Sequence, residues 1–182
     1  MNSKLDIIIG PMFSGKSFEL IRRIRLLKIL EKEYLVIKPK LDDRYTDENV
    51  ICTHNYDKEK CIQVKKLSES YHNNYNYDTI FIDEAQFFPD LKDFVLNVLE
   101  KKNINIVMAG LDGDFLRKPF GQVLELIPYS DTCIKKRALC KICKDGSHAL
   151  FSHRISSRDE QVLVGSTETY TPVCRKCYIE LN

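Results

Sequence analysis

A glycine-rich stretch near the start of the chain has the residue types and spacing of a phosphate-binding loop. Residues 10–17 match the pattern G-x-x-x-x-G-K-[ST] and lie between an apolar run and a helix-like pattern. Glycines let backbone N–H groups turn toward phosphate oxygens, and the following helix adds the positive end of its dipole. Lys16 would reach the outer phosphates, and the Ser17 hydroxyl would bind Mg²⁺. Rather than an ordinary turn, the pattern predicts a nucleoside triphosphate site made of Gly10, Pro11, Met12, Phe13, Ser14, Gly15, Lys16 and Ser17.

Two adjacent carboxylates follow a second apolar run. Residues 79–82 have the composition of a buried strand, and Asp83 and Glu84 come directly after them. Open parallel sheets bind ligands at the carboxyl ends of their strands, so Asp83 would reach the same site as Ser17 and bind Mg²⁺ with it. Glu84 would act as a general base or position a nucleophile.

Two C-x-x-C pairs near the end of the chain predict a metal site. Four thiolates in two such pairs suit a closed tetrahedral Zn²⁺ site with a structural role, and metal binding would stabilise a segment that has little apolar mass. A redox dithiol or two disulfides are the alternatives, which a reducing compartment disfavours. The four ligands would be Cys140, Cys143, Cys174 and Cys177.

The elements that must position these residues alternate between strand and helix. Such alternation predicts an α/β fold in which a P-loop NTPase-type parallel sheet is flanked by crossover helices. We expect a nucleotide-binding domain over residues 1–137 and a small zinc-binding, ribbon-like domain over 138–182, because buried strands give way to cysteine pairs there. Strands are predicted at 5–9, 34–37, 50–53, 61–64, 79–82, 104–109 and 132–135, and helices at 17–31, 66–71, 89–102 and 122–126.

Composition limits the classes of protein to consider. With 182 residues, 43% hydrophobic and 30% charged, the chain is long enough for one main core and a small appendage. A formal net charge of +2 gives no general basic character for binding nucleic acid. The first residues lack a secretory signal, so we expect a cytoplasmic protein that neither enters a membrane nor binds nucleic acid.

Several longer strings resemble one family closely. They are G-P-M-F-S-G-K-S at 10–17, K-P-x-x-D-x-R-Y at 38–45, C-T-H at 52–54, I-D-E-A-Q-F-F at 82–88, L-D-G-x-F-x-R-K-P-F-G at 111–121, the two cysteine pairs, and Tyr170. Together they cover nearly the whole chain. The sequence is similar to the thymidine kinases of vertebrate cytosol, many bacteria and large DNA viruses.

This resemblance implies a reaction and its cofactors. Members are ATP:thymidine 5′-phosphotransferases, which use Mg²⁺ to transfer the γ-phosphate of ATP to the 5′-hydroxyl of thymidine, giving dTMP and ADP. The reaction serves nucleotide salvage for DNA synthesis. The resemblance further implies a structural Zn²⁺ at the base of a lasso-like loop that covers the substrate, a homotetramer, and dTTP as a feedback inhibitor.

The resemblance also assigns residues to each site. Glu84 stands at the family's general base. The nucleotide site gains Asp42, Asp43, Arg44, Asp83, Glu84, Ala85 and Gln86. The thymidine site would consist of Met12, Phe87, Leu111, Phe115, Phe120, Ser152, Gln161, Val162, Leu163, Val164, Gly165 and Tyr170. Ser152 replaces a more usual Thr and so has one methyl less to pack against thymine, which implies that deoxyuridine is also accepted.

Two other functions fit parts of the pattern. A nucleic-acid-dependent ATPase would use the P-loop as a motor and the cysteine pairs as a grip, but the chain has no room for a second motor lobe. A non-catalytic nucleotide-binding regulator would have no use for the pair Asp83 and Glu84.

Overall fold

The computed structural model describes residues 3–40, 50–52, 58–70, 76–155 and 169–181. The strands are β1 Leu5–Ile9, β2 Tyr34–Pro39, β3 Val50–Cys52, β4 Lys58–Lys60, β5 Ile62–Val64, β6 Thr79–Ile82, β7 Asn105–Gly110, β8 Thr132–Lys135, β9 Ala138–Leu139, β10 His148–Ala149, β11 Phe151–Arg154 and β12 Tyr170–Val173. The α-helices are α1 Lys16–Ile29, α2 Leu91–Lys101 and α3 Arg175–Leu181. In this part of the chain no helix has the length and apolar character needed to cross a membrane.

A parallel sheet forms the centre of the molecule. Its six strands lie in the order β5-β2-β6-β7-β1-β8, and every neighbouring pair is parallel. The predicted α/β class is therefore confirmed. Because all these strands run in one direction, the residues that follow β1, β6 and β7 meet at one edge of the sheet.

Both faces of the sheet are covered, which explains the continuous apolar runs in the sequence. Successive residues of a strand point to opposite faces. Ile7 and Ile9 accordingly pack in a cluster with residues of α2, whereas Ile8 packs in a second cluster with residues of α1. The two clusters hold the carboxyl edge of the sheet in place.

Some predicted elements differ from the observed ones. The helices predicted at 66–71 and 122–126 are 3₁₀ turns at Leu67–Glu69 and Leu124–Tyr129, the second of which contains Pro128. A further 3₁₀ turn, Ala85–Phe87, lies directly after the carboxylate pair. β4, which pairs antiparallel with β3, was not predicted, because its Lys-Glu-Lys sequence has no apolar alternation.

The C-terminal residues form short antiparallel pairs and a short helix. β9 pairs with β10, β11 pairs with β12, and α3 follows. A small separate cluster of buried residues, which includes Val173, Cys177 and Tyr178, lies among them. The division of the chain at residue 138 stays a prediction.

Candidate active site

The phosphate-binding loop has a backbone that requires glycine at its first position. Gly10 has a φ of 147°, and a Cβ there would lie 2.5 Å from the Lys136 carbonyl oxygen. Gly15, with a φ of 77°, is the N-cap of α1. Ser14 Oγ donates a hydrogen bond to the Pro11 carbonyl at 2.8 Å, which closes the turn. The loop thus leads from β1 directly to the N-terminus of a 14-residue helix.

Lys16 is buried in this loop beside carboxylates. Its Nζ donates a hydrogen bond to the Pro11 carbonyl oxygen at 2.8 Å. Burial lowers the pKa of the Lys16 ammonium, while the carboxylates of Glu84, Asp83 and Asp112 act in the opposite direction. The cation is therefore held at the sheet edge where the phosphates of a nucleotide would add further negative charge.

Ser17 and Asp83 meet across the sheet edge although 66 positions separate them. Ser17 Oγ donates to Asp83 Oδ1 at 3.2 Å. Asp83 is only 5% exposed, and this burial, together with the adjacent Glu84 carboxylate, raises its pKa to about 7 despite the Ser17 hydrogen bond. A buried carboxylate beside a hydroxyl is a suitable pair of oxygen ligands for a divalent cation.

The side chain of Gln86 holds the carboxylate of Glu84. Gln86 Nε2 donates to Glu84 Oε2 at 2.7 Å, while Gln86 Oε1 accepts from the Leu111 backbone N–H at 3.0 Å. Glu84 itself has a φ of 50°, in the left-handed region that residues other than glycine seldom adopt. One amide thus connects Glu84, the second residue after β6, to Leu111, the first residue after β7.

Residues from the C-terminal part contact the phosphate-binding loop. The Met12 backbone N–H donates to Ser152 Oγ at 2.9 Å, and Ser152 is buried. The Lys141 ammonium lies 4.9 Å from the centroid of the Phe13 ring. Met12 and Ser152, which the sequence analysis placed near the same acceptor, are therefore in direct contact.

Other side chains predicted to bind the acceptor come from the residues after β6 and β7. Phe87 and Phe120 stack edge to face with their ring centroids 5.3 Å apart, and Leu111 is buried near the Gln86 amide. The Phe115 carbonyl accepts a hydrogen bond from the Tyr178 hydroxyl at 2.8 Å. Tyr170 is also buried. Asp42, Asp43 and Arg44, and Gln161, Val162, Leu163, Val164 and Gly165, lie outside the described residues.

The four cysteines of the two C-x-x-C pairs come together. The Sγ atoms of Cys140, Cys143, Cys174 and Cys177 all lie within 4.8 Å of one another, and all four cysteines are free. Although burial opposes it, hydrogen bonds from backbone N–H groups of Cys143, Cys174 and Ile142 lower the pKa of Cys140 to about 6. Since the thiolate is the form that binds metal, this donor set fits the predicted structural Zn²⁺.

Three residues of the site region were missed by the sequence analysis. Asp112 contributes to the electrostatic environment of Lys16 and forms an ion pair with Lys135 at 2.6 Å. Its position in the L-D-G string was a usable signal. Lys141, and Arg154, which is buried against the Phe115 ring, carried no such signal, because an isolated basic residue is usually a solvated surface group.

Comparison with known proteins shows a match over nearly the whole chain. The family model described as thymidine kinase matches residues 3–178. The thymidine kinase of Yaba monkey tumor virus (strain VR587) is 44% identical over 185 aligned positions, which cover 100% of this chain and 99% of that protein. The thymidine kinases of vaccinia virus (strain Western Reserve) and variola virus (isolate Human/India/Ind3/1967) are each 39% identical over 176 positions, with 97% of both chains covered.

Proposed function

Since the chain belongs to the thymidine kinase family, we propose that it transfers the γ-phosphate of ATP to the 5′-hydroxyl of thymidine, giving dTMP and ADP. The observation that carries this proposal is the sheet edge where the phosphate-binding loop, the Ser17–Asp83 pair and the Glu84–Gln86 pair lie together. We further propose that the reaction serves nucleotide salvage for DNA synthesis.

The donor site is the phosphate-binding loop. Backbone N–H groups of the loop at residues 10–17, apart from Pro11, which has none, and Met12, whose N–H donates to Ser152, would bind the phosphates of ATP together with the Lys16 ammonium. Asp42, Asp43 and Arg44 would add to the nucleotide site. Ser17 and Asp83 would hold Mg²⁺, which neutralises charge on the transferred phosphoryl group when it is bound. The 3.2 Å contact between these two side chains supports the assignment.

The proton of the acceptor hydroxyl would pass to Glu84. Its Oε2 accepts a hydrogen bond from the Gln86 amide, so Oε1 would be the oxygen that takes the proton. A base that is fixed before the substrate arrives does not have to be ordered during the reaction. Ala85 and Gln86 then belong to the catalytic edge through their place in the 3₁₀ turn after Glu84.

The nucleoside would lie between the P-loop and the C-terminal part of the chain. The contact of Met12 with Ser152 supports this placement, because it brings one residue of each part to the same point. Phe87, Leu111, Phe120, Gln161–Gly165 and the rings of Phe115 and Tyr170 would complete the pocket. Because Ser152 has no methyl group, we propose that deoxyuridine is phosphorylated as well as thymidine.

The cysteine cluster would hold a structural Zn²⁺. Four thiolates complete a tetrahedral shell, so such a metal takes no part in the chemistry and instead fixes the fold of residues 138–182 as the base of a substrate lid. A lid excludes water, which would otherwise compete with the sugar hydroxyl for the phosphoryl group.

We also propose a cytoplasmic location, a homotetramer and inhibition by dTTP, on the strength of the family alone.

The decisive experiment is a panel of nucleosides incubated with ATP and Mg²⁺, scored by which monophosphate forms. We expect dTMP and dUMP.

Glu84→Gln should bind ATP as the wild type does but lose turnover by a factor of about 10² or more, because a general base contributes roughly 10²–10⁴. ATP hydrolysis that requires DNA and ignores nucleosides would contradict the proposal, as would near-normal turnover in the variant for the role of Glu84.

A further inference from the structure

The guanidinium of Arg154 lies against two aromatic side chains that come from different parts of the chain. Its central carbon is 3.8 Å from the centroid of the Phe115 ring and 5.2 Å from the centroid of the Tyr170 ring. One of its Nη atoms donates a hydrogen bond to the Tyr170 hydroxyl at 2.5 Å. Arg154 is 6% exposed, whereas most arginines lie at the surface.

Backbone pairing fixes the contact of Arg154 with Tyr170. Arg154 at the end of β11 lies opposite Tyr170 at the start of β12, and the Ile155 N–H donates to the Thr169 carbonyl at 2.9 Å. The two side chains therefore leave neighbouring strands at the same level.

The contact of Arg154 with Phe115 joins the two parts of the molecule. Phe115 belongs to the segment after β7, and its carbonyl is held by the Tyr178 hydroxyl of α3. Arg154 approaches the face of the Phe115 ring from β11. A single buried cation thus joins a ring from the P-loop part to a ring from the C-terminal part.

Only arginine satisfies both contacts at once. Its planar guanidinium stacks on a ring face while its N–H groups donate in the plane, whereas the lysine ammonium is a compact, strongly hydrated charge. Cation–π attraction strengthens when the cation is removed from water, as it is here. Both rings are therefore held in fixed orientations before a ligand arrives, which reduces the entropy lost on binding.

We propose that Arg154 is a positioning residue for the acceptor nucleoside, which holds the rings of Phe115 and Tyr170 as two walls of its pocket. The inference rests on the proposed function, in which these rings enclose thymidine. It predicts that Arg154 acts on acceptor binding and leaves the donor site and the chemical step unchanged.

Substitution of Arg154 tests this role through a separation of KM from kcat. Arg154→Met keeps a long unbranched side chain but removes the charge and the donors. We expect the KM for thymidine to rise about tenfold or more, with kcat within about threefold of wild type and the KM for ATP unchanged, as for loss of binding shared by substrate and transition state. Arg154→Lys should give an intermediate KM for thymidine. Tyr170→Phe should reproduce the part of the rise in this KM that comes from loss of the hydrogen bond between Arg154 and the Tyr170 hydroxyl.

Arg117 provides a matched control. Its guanidinium lies 4.4 Å from the centroid of the Tyr178 ring and 5.6 Å from that of Phe151, but Arg117 is exposed. Arg117→Met therefore removes a comparable cation–π contact away from Tyr170. It should leave the KM for thymidine at the wild-type value.

Two results would overturn the inference. One is a wild-type KM for thymidine in Arg154→Met, or in Arg154→Lys if the methionine variant does not fold. The other is a parallel rise of the KM values for ATP and thymidine together with loss of zinc, which would assign Arg154 to overall folding. Failure of the proposed function is distinguishable from both, because the wild-type protein in the same assay would then form no dTMP.

Discussion

Replacing Gln86 with leucine should separate the orientation of the base from the rest of the site. Gln86 is 4% exposed, and its amide makes two hydrogen bonds, one to Glu84 Oε2 and one from the Leu111 N–H. Leucine has a similar volume and can make neither bond. The variant therefore keeps the packing but frees the carboxylate of Glu84.

The magnitude follows from these two bonds. A hydrogen bond to a charged group contributes about 1.5–3 kcal/mol, and an unsatisfied buried N–H at Leu111 costs about 1–3 kcal/mol. Because Glu84 is partly exposed and regains solvent, we expect a net loss of about 2–4 kcal/mol in the free energy of unfolding. At roughly 2–4 °C for each kcal/mol in a chain of this size, the midpoint of thermal unfolding should fall by about 4–16 °C.

Catalysis should fall further than stability alone explains. A free Glu84 must be ordered in each turnover, so we expect kcat for thymidine to fall about 10- to 100-fold, a part of the roughly 10²–10⁴ that a general base contributes. The assay is dTMP formation at saturating ATP and at a temperature where circular dichroism shows the variant to be folded. The KM for ATP should stay near the wild-type value.

Gln122 supplies the control. Its Oε1 accepts a hydrogen bond from the Lys92 backbone N–H at 2.9 Å, as Gln86 does from Leu111, but it is bound to no catalytic carboxylate. Gln122→Leu should lose about 1 kcal/mol of stability with kcat unchanged. A wild-type kcat in folded Gln86→Leu would refute the claim that Gln86 positions Glu84. An equal loss of kcat in both variants would show that the loss does not come from the Gln86–Glu84 hydrogen bond.

Three further outcomes follow from the geometry of the site. Burial raises the Asp83 pKa to about 7, so the stability that its neutral form provides is present below about pH 4 and is lost as the pH rises through about 7. Asp83→Asn should therefore unfold at a higher temperature than the wild type at pH 8 without Mg²⁺, yet lose kinase activity. Gly10→Ala should abolish ATP binding in calorimetry, because its Cβ would lie 2.5 Å from the Lys136 carbonyl oxygen. Cys177→Ser should reduce bound zinc from about one per chain and speed amide hydrogen exchange in residues 138–155. Cys133 is exposed and lies outside the cluster, so Cys133→Ser should change neither quantity. Equal zinc content in both variants would contradict the proposed zinc site.

The central sheet could be predicted well from the sequence, because a strand that is buried on both faces is a continuous run of apolar residues. β1, β6 and β7 are nearly continuous apolar runs that end at a glycine or a carboxylate, so both their type and their ends were readable. β4 has a charged sequence and owes its strand conformation to pairing with β3, which no local pattern reports. The two short segments predicted as helices are 3₁₀ turns for a related reason. A few apolar residues do not determine whether the backbone hydrogen bonds span three or four residues.

The candidate site divides in the same way. Lys16, Ser17 and Asp83 could be assigned from motif and strand position, because the phosphate loop and the carboxyl edge of a parallel sheet have a fixed relation. The Gln86 amide between Glu84 and Leu111 depends on how close the ends of two strands lie. Arg154 is a more extreme case, since its buried position depends on a ring 39 positions earlier in the chain.

The contacts at Lys136 and Ser152 bear on how this enzyme could be recombined with its relatives. The Lys136 carbonyl lies against Gly10, and Ser152 Oγ accepts the Met12 N–H, so both the segment that follows β8 and the separate strand β11 contact the phosphate-binding loop. A chimaera joined at residue 137 would have to match the donor protein at both points. Exchange of acceptor specificity by swapping whole C-terminal segments should therefore succeed only between parents whose loops have the same backbone path, and inserted tags at the junction should impair ATP binding first.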